Sequence, residues 1–313
     1  MNRSILRSIS RRAAIGALAA LSALAALPAQ AQDWRADYPV LRFGISSSEN
    51  EADAIARYEP FAAYLSEKFG VPVEITRGTD YAAVVEALRS ENAEFARFGP
   101  ASYALARKVM GEGIVPVAVD LELDGSSGYY SVIAVRADSP YQTLDDLEGK
   151  TLAFADPNST SGYAVPTYFL KQAGYEPDSF FSNTAFSGSH ELGIIALING
   201  TFDAAATHWA SDADGNIQRM ERKGMIEPGQ VRIVWKSEMI PNSPWVMRTD
   251  LPEEMQRIYA EALLSFEEEA PEAFEQLSDG QSSGIAPATH EDYLDIIAVT
   301  EENSAERRQR NGS

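Results

Sequence analysis

Cysteine is absent from the 313 residues. That excludes a disulfide framework, a thiol nucleophile, a thiolate metal site and a lipid-modified cysteine behind a cleaved leader. Histidine is nearly absent too. His190, His208 and His290 are the only three, far apart and without metal-ligand spacing, so neither a metal nor a cofactor is expected. No apolar run beyond residue 31 is long enough to cross a bilayer. Positive charge is scarce, with 26 Lys and Arg against 46 Asp and Glu, which argues against nucleic acid and anionic membrane as partners. There is also no nucleophile elbow, phosphate-binding P-loop or dinucleotide fingerprint, so no enzymatic activity is expected.

What is present starts with a leader. Arg3, Arg7, Arg11 and Arg12 precede the short apolar stretch Ala13–Leu27, and Ala29-Gln30-Ala31 has the form of a cleavage site. Residues 1–31 therefore read as a signal peptide cut near Ala31, releasing a soluble protein into the periplasm. Ser10-Arg11-Arg12 leans toward twin-arginine export without completing the motif, which leaves the route open. Removing the leader takes away four arginines and no acid, moving the formal charge from −20 to −24. An anionic ligand would then have to rely on local hydrogen-bond donors. The remaining length exceeds one usual core, so two lobes are expected.

The pattern along the chain is α/β. Strands at Val40–Ser46, Val71–Thr76 and Glu94–Phe98 alternate with helices over Ile55–Phe69 and from Asp80-Tyr81 onward. Gly128–Val135 is a long β-rich run. A second α/β unit spans about 136–235, and Ile240–Met247 reads as a return crossing. The expected division is lobe I over 40–135 plus 241–300, lobe II over 136–240, and a flexible tail over 301–313. Each lobe is a mixed, mostly parallel sheet flanked by helices, with a ligand cleft between them.

One loop carries most of the chemistry. Asp156-Pro157-Asn158-Ser159-Thr160-Ser161-Gly162 lies between a predicted strand and a predicted helix. Unpaired N–H groups and partial positive charge at a helix start attract anions, and three consecutive hydroxyls suit a tetrahedral oxyanion. The competing reading is that Ser159 or Thr160 only caps the helix. His190 opens another helix, as an oxyanion donor or a surface cap. Tyr81 presents a hydroxyl or packs as an amphipathic aromatic. Phe98, Tyr103 and His208-Trp209 are cleft-wall candidates with core packing as the alternative. Arg77 and Arg97 are the cations nearest the first lobe's strand ends and carry no assignment.

Three stretches together resemble the phosphate/phosphite/phosphonate-binding proteins of ABC transporters, a branch of the type II periplasmic binding proteins. They are Leu144–Thr151 running into Asp156–Tyr163, the pair Asp80-Tyr81, and Phe98–Tyr103. The likeness extends from about Leu41 to Ala288. It implies that Ser159, Thr160, Ser161, Tyr81 and His190 hold the oxyanion, with Phe98, His208 and Ser243 as further lining. It also implies an ABC permease partner, a monomer and hinge closure on the solute. A periplasmic sensor feeding a membrane histidine kinase is the alternative use of such a fold. Family members that bind aminoalkylphosphonates hold the ammonium with two carboxylates, at positions matching Ala210-Ser211 and Ser243 here. Neither is acidic, although Asp212 lies close by. Phe98 replaces a hydroxyl-bearing aromatic. The expected ligand is therefore one without an amine: phosphite, phosphate, methylphosphonate or another small phosphonate, with a non-phosphorus oxyanion of similar shape as the alternative.

Overall fold

In a computed structural model describing residues 33–46 and 49–311, strands fall on the β-branched and aromatic runs. The leader read over 1–31 lies outside the described residues. After a single turn at Trp34–Ala36, the fold from Tyr38 onward starts with Leu41–Ile45 (β1). The helix Glu51–Phe69 (α1) leads to Val73–Arg77 (β2), and Tyr81–Arg89 (α2) leads to Phe95–Arg97 (β3). Both β2 and β3 pair parallel with β1. Asn50 caps α1 through its side chain, and Gly70 ends it in the left-handed conformation. Pro60 sits inside α1 and has no N–H for the Ala56 carbonyl. The Gln276 amide supplies the missing donor at 2.9 Å.

Pro100–Met110 (α3) and Ile114–Glu122 (β4) complete this run. The chain then enters a second sheet through Gly128–Arg136 (β5), Thr151–Phe154 (β6), Val165–Gln172 (α4) and Asn183–Phe186 (β7). His190–Ile198 (α5), Ala204–Trp209 (β8), Asn216–Arg222 (α6), Val231–Lys236 (β9) and Ile240–Pro241 (β10) follow. It returns to the first sheet as Pro244–Arg248 (β11), then forms Glu253–Glu269 (α7), Pro271–Ser278 (α8), Ser282–Pro287 (β12) and Leu294–Asn311 (α9). The first sheet has the order β12-β4-β11-β3-β1-β2 and the second β10-β5-β8-β6-β7, with β9 also on β5.

Alternation along β5 fills two cores at once, because successive side chains point to opposite faces. Ile133 and Val135 join Leu152, Phe154 and Leu170 on one face, while Ala134 joins Ala153, Ile194, Leu197 and Met220 on the other. In the first lobe Phe43, Phe61, Trp245 and Phe266 meet in edge-on and tilted ring contacts.

Two expectations are corrected. The lobe boundary placed after residue 135 falls before β5, which pairs with β8, β9 and β10 of the second sheet. The two crossings are therefore residues 123–127 and Asn242-Ser243. Asn242 ties them together: its N–H reaches the Ser127 carbonyl at 2.8 Å, and its amide reaches the Asp120 carbonyl at 3.1 Å and the Glu122 carboxylate at 2.7 Å. The tail read over 301–313 as flexible is helical to Asn311. Asn303, 4% exposed, donates to the Ala164 carbonyl at 2.9 Å, and Lys171 contacts Glu306. Helix α9 thus packs on α3 of one lobe and α4 of the other. Glu301, Glu302 and Arg308 lie on the exposed side of this docked helix.

Candidate functional site

The four turns that follow β2, β3, β6 and β7 each start a helix or wide helical turn beside one cavity between the sheets. Asp80 caps α2, its Oδ1 accepting from Ala83 N–H at 2.8 Å, and this fixes Tyr81 in the wall. Gly99 begins α3 without a side-chain cap; a Cβ there would stand 2.9 Å from Thr160 Oγ1. Ser189 caps α5 and sets His190 at its first position. Helix N-termini carry partial positive charge, so their convergence offsets the chain's acidity locally.

The Ser-Thr-Ser run bridges the lobes. Ser159 Oγ accepts from Gly162 N–H at 3.0 Å, which is the capping contact, and lies 3.2 Å from His190 Nε2. Thr160 Oγ1 accepts from Ala101 N–H of α3 at 2.8 Å. The Ser161 carbonyl accepts from Ser131 Oγ at 2.7 Å. Residues Thr160–Ala164 form a wide turn closed by Val165 N–H onto the Thr160 carbonyl. Gly162 is required by space: a Cβ would meet Ala155 at 2.5 Å, Ser159 Oγ at 2.8 Å and His190 Cε1 at 2.9 Å.

A cavity of about 170 Å³ lies over this loop. Tyr81, Ser159, Thr160, Ser161, His190, His208 and Ser243 all line it, as does Arg97. Phe98 does not. It is 1% exposed in the apolar core with Val84, Val85 and Leu88, so its placement in the lining is corrected. Tyr103 is also buried, its hydroxyl 2.9 Å from His290 Nδ1. Trp209 packs on Tyr130 outside the cavity, and Arg77 donates to the Glu49 carbonyl.

Burial sets the protonation states. His190 Nδ1 lies 3.1 Å from Thr207 Oγ1 and its ring stands edge-on to His208 at 4.9 Å. Desolvation, with Arg219 adding, lowers its pKa to about 3, and His208 falls well below the ordinary histidine value for the same first reason. His190 is therefore a neutral donor, not a cation. Burial also keeps the phenols of Tyr81 and Tyr129 protonated, with Tyr129 raised to about 12. Ser159 is a polar neighbour of the Tyr81 hydroxyl, and Thr160 and Ser161 of the Tyr129 hydroxyl. The wall over the loop is a set of uncharged donors.

Several lining residues escaped the sequence reading: Tyr129, Arg57, Arg219, Glu122, Asp214 and Asn242. Tyr129 sits inside the β-rich run that the sequence pattern places in lobe I. The charged residues resemble any surface charge until the fold brings them together. Asp212, considered as a possible carboxylate, is exposed, whereas Asp214 two residues on faces the cavity. Ala210 and Ser243 do lie in the wall. Glu122 and Asp214 are nonetheless carboxylates in that wall, so the acid shortage behind the amine-free expectation is not a property of the folded site. Among the described residues, the tightest trio of potential metal ligands, Glu49, Asp53 and Glu191, surrounds the Lys223 ammonium.

Two α/β sheets joined by two crossings, with helix starts and hydroxyl donors facing an interlobe cavity, define a two-lobed solute-binding protein. The chain belongs to the family described as the phosphonate periplasmic substrate-binding proteins of ABC transporters, whose model matches residues 43–293. The phosphate-import protein PhnD of Mycolicibacterium smegmatis is 34% identical over 83% of this chain and 84% of its own length. The phosphonates-binding periplasmic protein of Escherichia coli is 32% identical over 72% of this chain and 65% of its own length. A binding protein component of an ABC phosphonate transporter from Pseudomonas aeruginosa superposes with a TM-score of 0.75 at 27% identity, covering 83% of this chain and 85% of that one. PhnD1 of Prochlorococcus marinus, solved with methylphosphonate, shares the fold at a TM-score of 0.74 and 24% identity over 85% of this chain and 98% of its own.

Proposed function

We propose that this protein captures a small phosphorus oxyanion, a phosphonate above all, in the periplasm and delivers it to an ABC permease by closing its lobes on the ligand. Ser159, Thr160, Ser161, His190, Tyr81 and Tyr129 are its oxyanion donors. What carries this reading is the meeting of the Ser-Thr-Ser turn with a neutral imidazole and two protonated phenols in one interlobe cavity. Hydrogen bonds to an ionised acceptor are about twice as strong as neutral ones and count for more in a desolvated cleft. The Arg57, Arg97 and Arg219 guanidiniums add positive potential without a basic surface. The protein acts as a monomer without catalytic activity or nucleic-acid partners, after removal of the leader near Ala31. Among the described residues, no helix is long and apolar enough to cross a membrane.

Calorimetric titration with methylphosphonate, phosphite and phosphate tests the assignment. Ser161→Ala and His190→Ala are each expected to weaken the tightest of these by about 1–3 kcal/mol, the loss for a buried donor. Unchanged affinity in both variants would place the ligand elsewhere.

A further inference from the structure

The cavity is larger and differently charged than an oxyanion requires. Its volume of about 170 Å³ is several times the roughly 30 Å³ that a water takes up in the liquid, which leaves room for a ligand with a second end. The Ser-Thr-Ser turn occupies one wall. The remainder carries three guanidiniums, Arg57, Arg97 and Arg219, and two carboxylates, Glu122 and Asp214.

The carboxylates are the sharper observation. Glu122 ends β4 in one lobe, and Asp214 sits in a turn of the other, held by Ala210 N–H on its carbonyl at 3.0 Å. Glu122 accepts from the Asn242 amide and makes no ion pair among the described residues. Asp214 pairs with Arg222 at 3.7 Å. Burial raises the pKa of each, and Asp214 further raises that of Glu122, to about 7. A lone phosphate or methylphosphonate would add an anion beside both acids and leave Glu122 without a cation, an arrangement that costs free energy.

The guanidiniums ask for the opposite charge. Arg97 spends Nη1 on the Tyr58 hydroxyl, at 3.1 Å, and Nη2 on Asp120, which leaves N–H groups of its five-donor fork free of those bonds. Arg57 is fixed on Glu49 at 2.5 Å and over the Tyr58 ring. An ammonium alone suits the acids and leaves the remaining Arg97 N–H donors, its buried Nε among them, without an acceptor; a carboxylate alone does the reverse.

We infer that the ligand's second end is an α-amino acid group, so that the site takes a phosphono-amino acid: Glu122 and Asp214 receive its ammonium and Arg97 its carboxylate. This rests on the oxyanion assignment above and goes beyond it.

The test is calorimetric titration of the full mature chain with four compounds: methylphosphonate, 2-aminoethylphosphonate, 3-phosphonopropionate and 2-amino-3-phosphonopropionate. The last is expected to bind at least about tenfold more tightly than each of the others, because only it pairs both sets of buried charges. Glu122→Gln, and separately Asp214→Asn, is expected to shrink the preference for each amine-bearing compound over its amine-free counterpart by about tenfold. Gln and Asn keep an acceptor in place, and circular dichroism of each variant reports its folding. Equal binding of 2-aminoethylphosphonate, or of 3-phosphonopropionate, overturns the amino-acid assignment and leaves a one-charge end. Methylphosphonate binding as tightly as the largest compound overturns it while the oxyanion site stands. If none of the four binds, the amino-acid assignment falls, and the oxyanion reading falls with it only where phosphite and phosphate also fail to bind.

Discussion

At the scale of single residues, the site is governed by which groups burial prevents from ionising. His190 and His208 are held neutral, His190 at about 3, whereas an unfolded chain titrates its histidines near 6.5. Below that pH the unfolded state takes up protons that the folded state refuses. The histidine contribution to stability is therefore complete above about pH 6.5 and is lost as the pH falls toward 3. Glu122 runs the other way. Its folded value is raised to about 7 from 4.5, so its unfavourable contribution is full above pH 7 and disappears as the pH falls toward 4.5. Comparing variants separates the two. The melting-temperature difference between the protein and His190→Asn should narrow steadily as the buffer is taken from pH 7 to pH 4. A difference independent of pH would mean that the histidine is not the group refusing protons. Residue identity was legible at the Ser-Thr-Ser turn because consecutive residues declare a local structure. Glu122, Asp214 and Arg219 were not, since a charge in an acidic chain looks solvated until distant segments enclose it.

At the scale of elements, the sequence pattern located β1, β2 and β3 to within two residues, but it gave no means of assigning strands to sheets. Gly128–Arg136 looks the same whichever sheet takes it; pairing with Ala204–Trp209 and Val231–Lys236, about 70 to 100 residues away, decides. The same limit explains α9, whose charged last turns read as a frayed end because its partners α3 and α4 are remote in sequence. Asn303 gives that helix a measurable function. Its amide satisfies the carbonyl of Ala164 at the end of the wide turn that carries Thr160 and Ser161. Asn303→Ala leaves a buried acceptor unpaired, which should cost about 1–3 kcal/mol of stability. Urea denaturation followed by far-UV circular dichroism would read this as a lower midpoint with an unchanged slope. A midpoint equal to that of the parent would show that α9 only rests on the turn.

At the scale of the whole molecule, the two lobes meet through charges at the cleft rim as well as through the crossings. Glu191 follows the site histidine on α5, is 3% exposed, and accepts from Asn50 N–H of the other lobe at 2.9 Å. Lys223, at the end of α6, reaches Glu49 and Glu191 at 3.2 Å each and also contacts Asp53. Arg222 adds a contact to Asp279 across the same cleft. Lys223 thus bridges two nearly inaccessible carboxylates, one from each lobe, with Arg57 also on Glu49, and lets them face each other when the cleft is shut. Removing one partner of a buried charge cluster costs more than the pair itself contributes, because the acids left behind remain desolvated. An open cleft returns them to water, so the cost falls on the closed form alone. Lys223→Met should then weaken ligand binding by about 1–2 kcal/mol, or roughly tenfold in Kd, and enlarge the ligand-free radius of gyration in small-angle scattering. Lys223→Arg, which keeps the charge, should restore most of the affinity. If Lys223→Met binds as tightly as the parent, the rim charges do not favour closure, and the crossings at 123–127 and Asn242-Ser243 set the equilibrium alone.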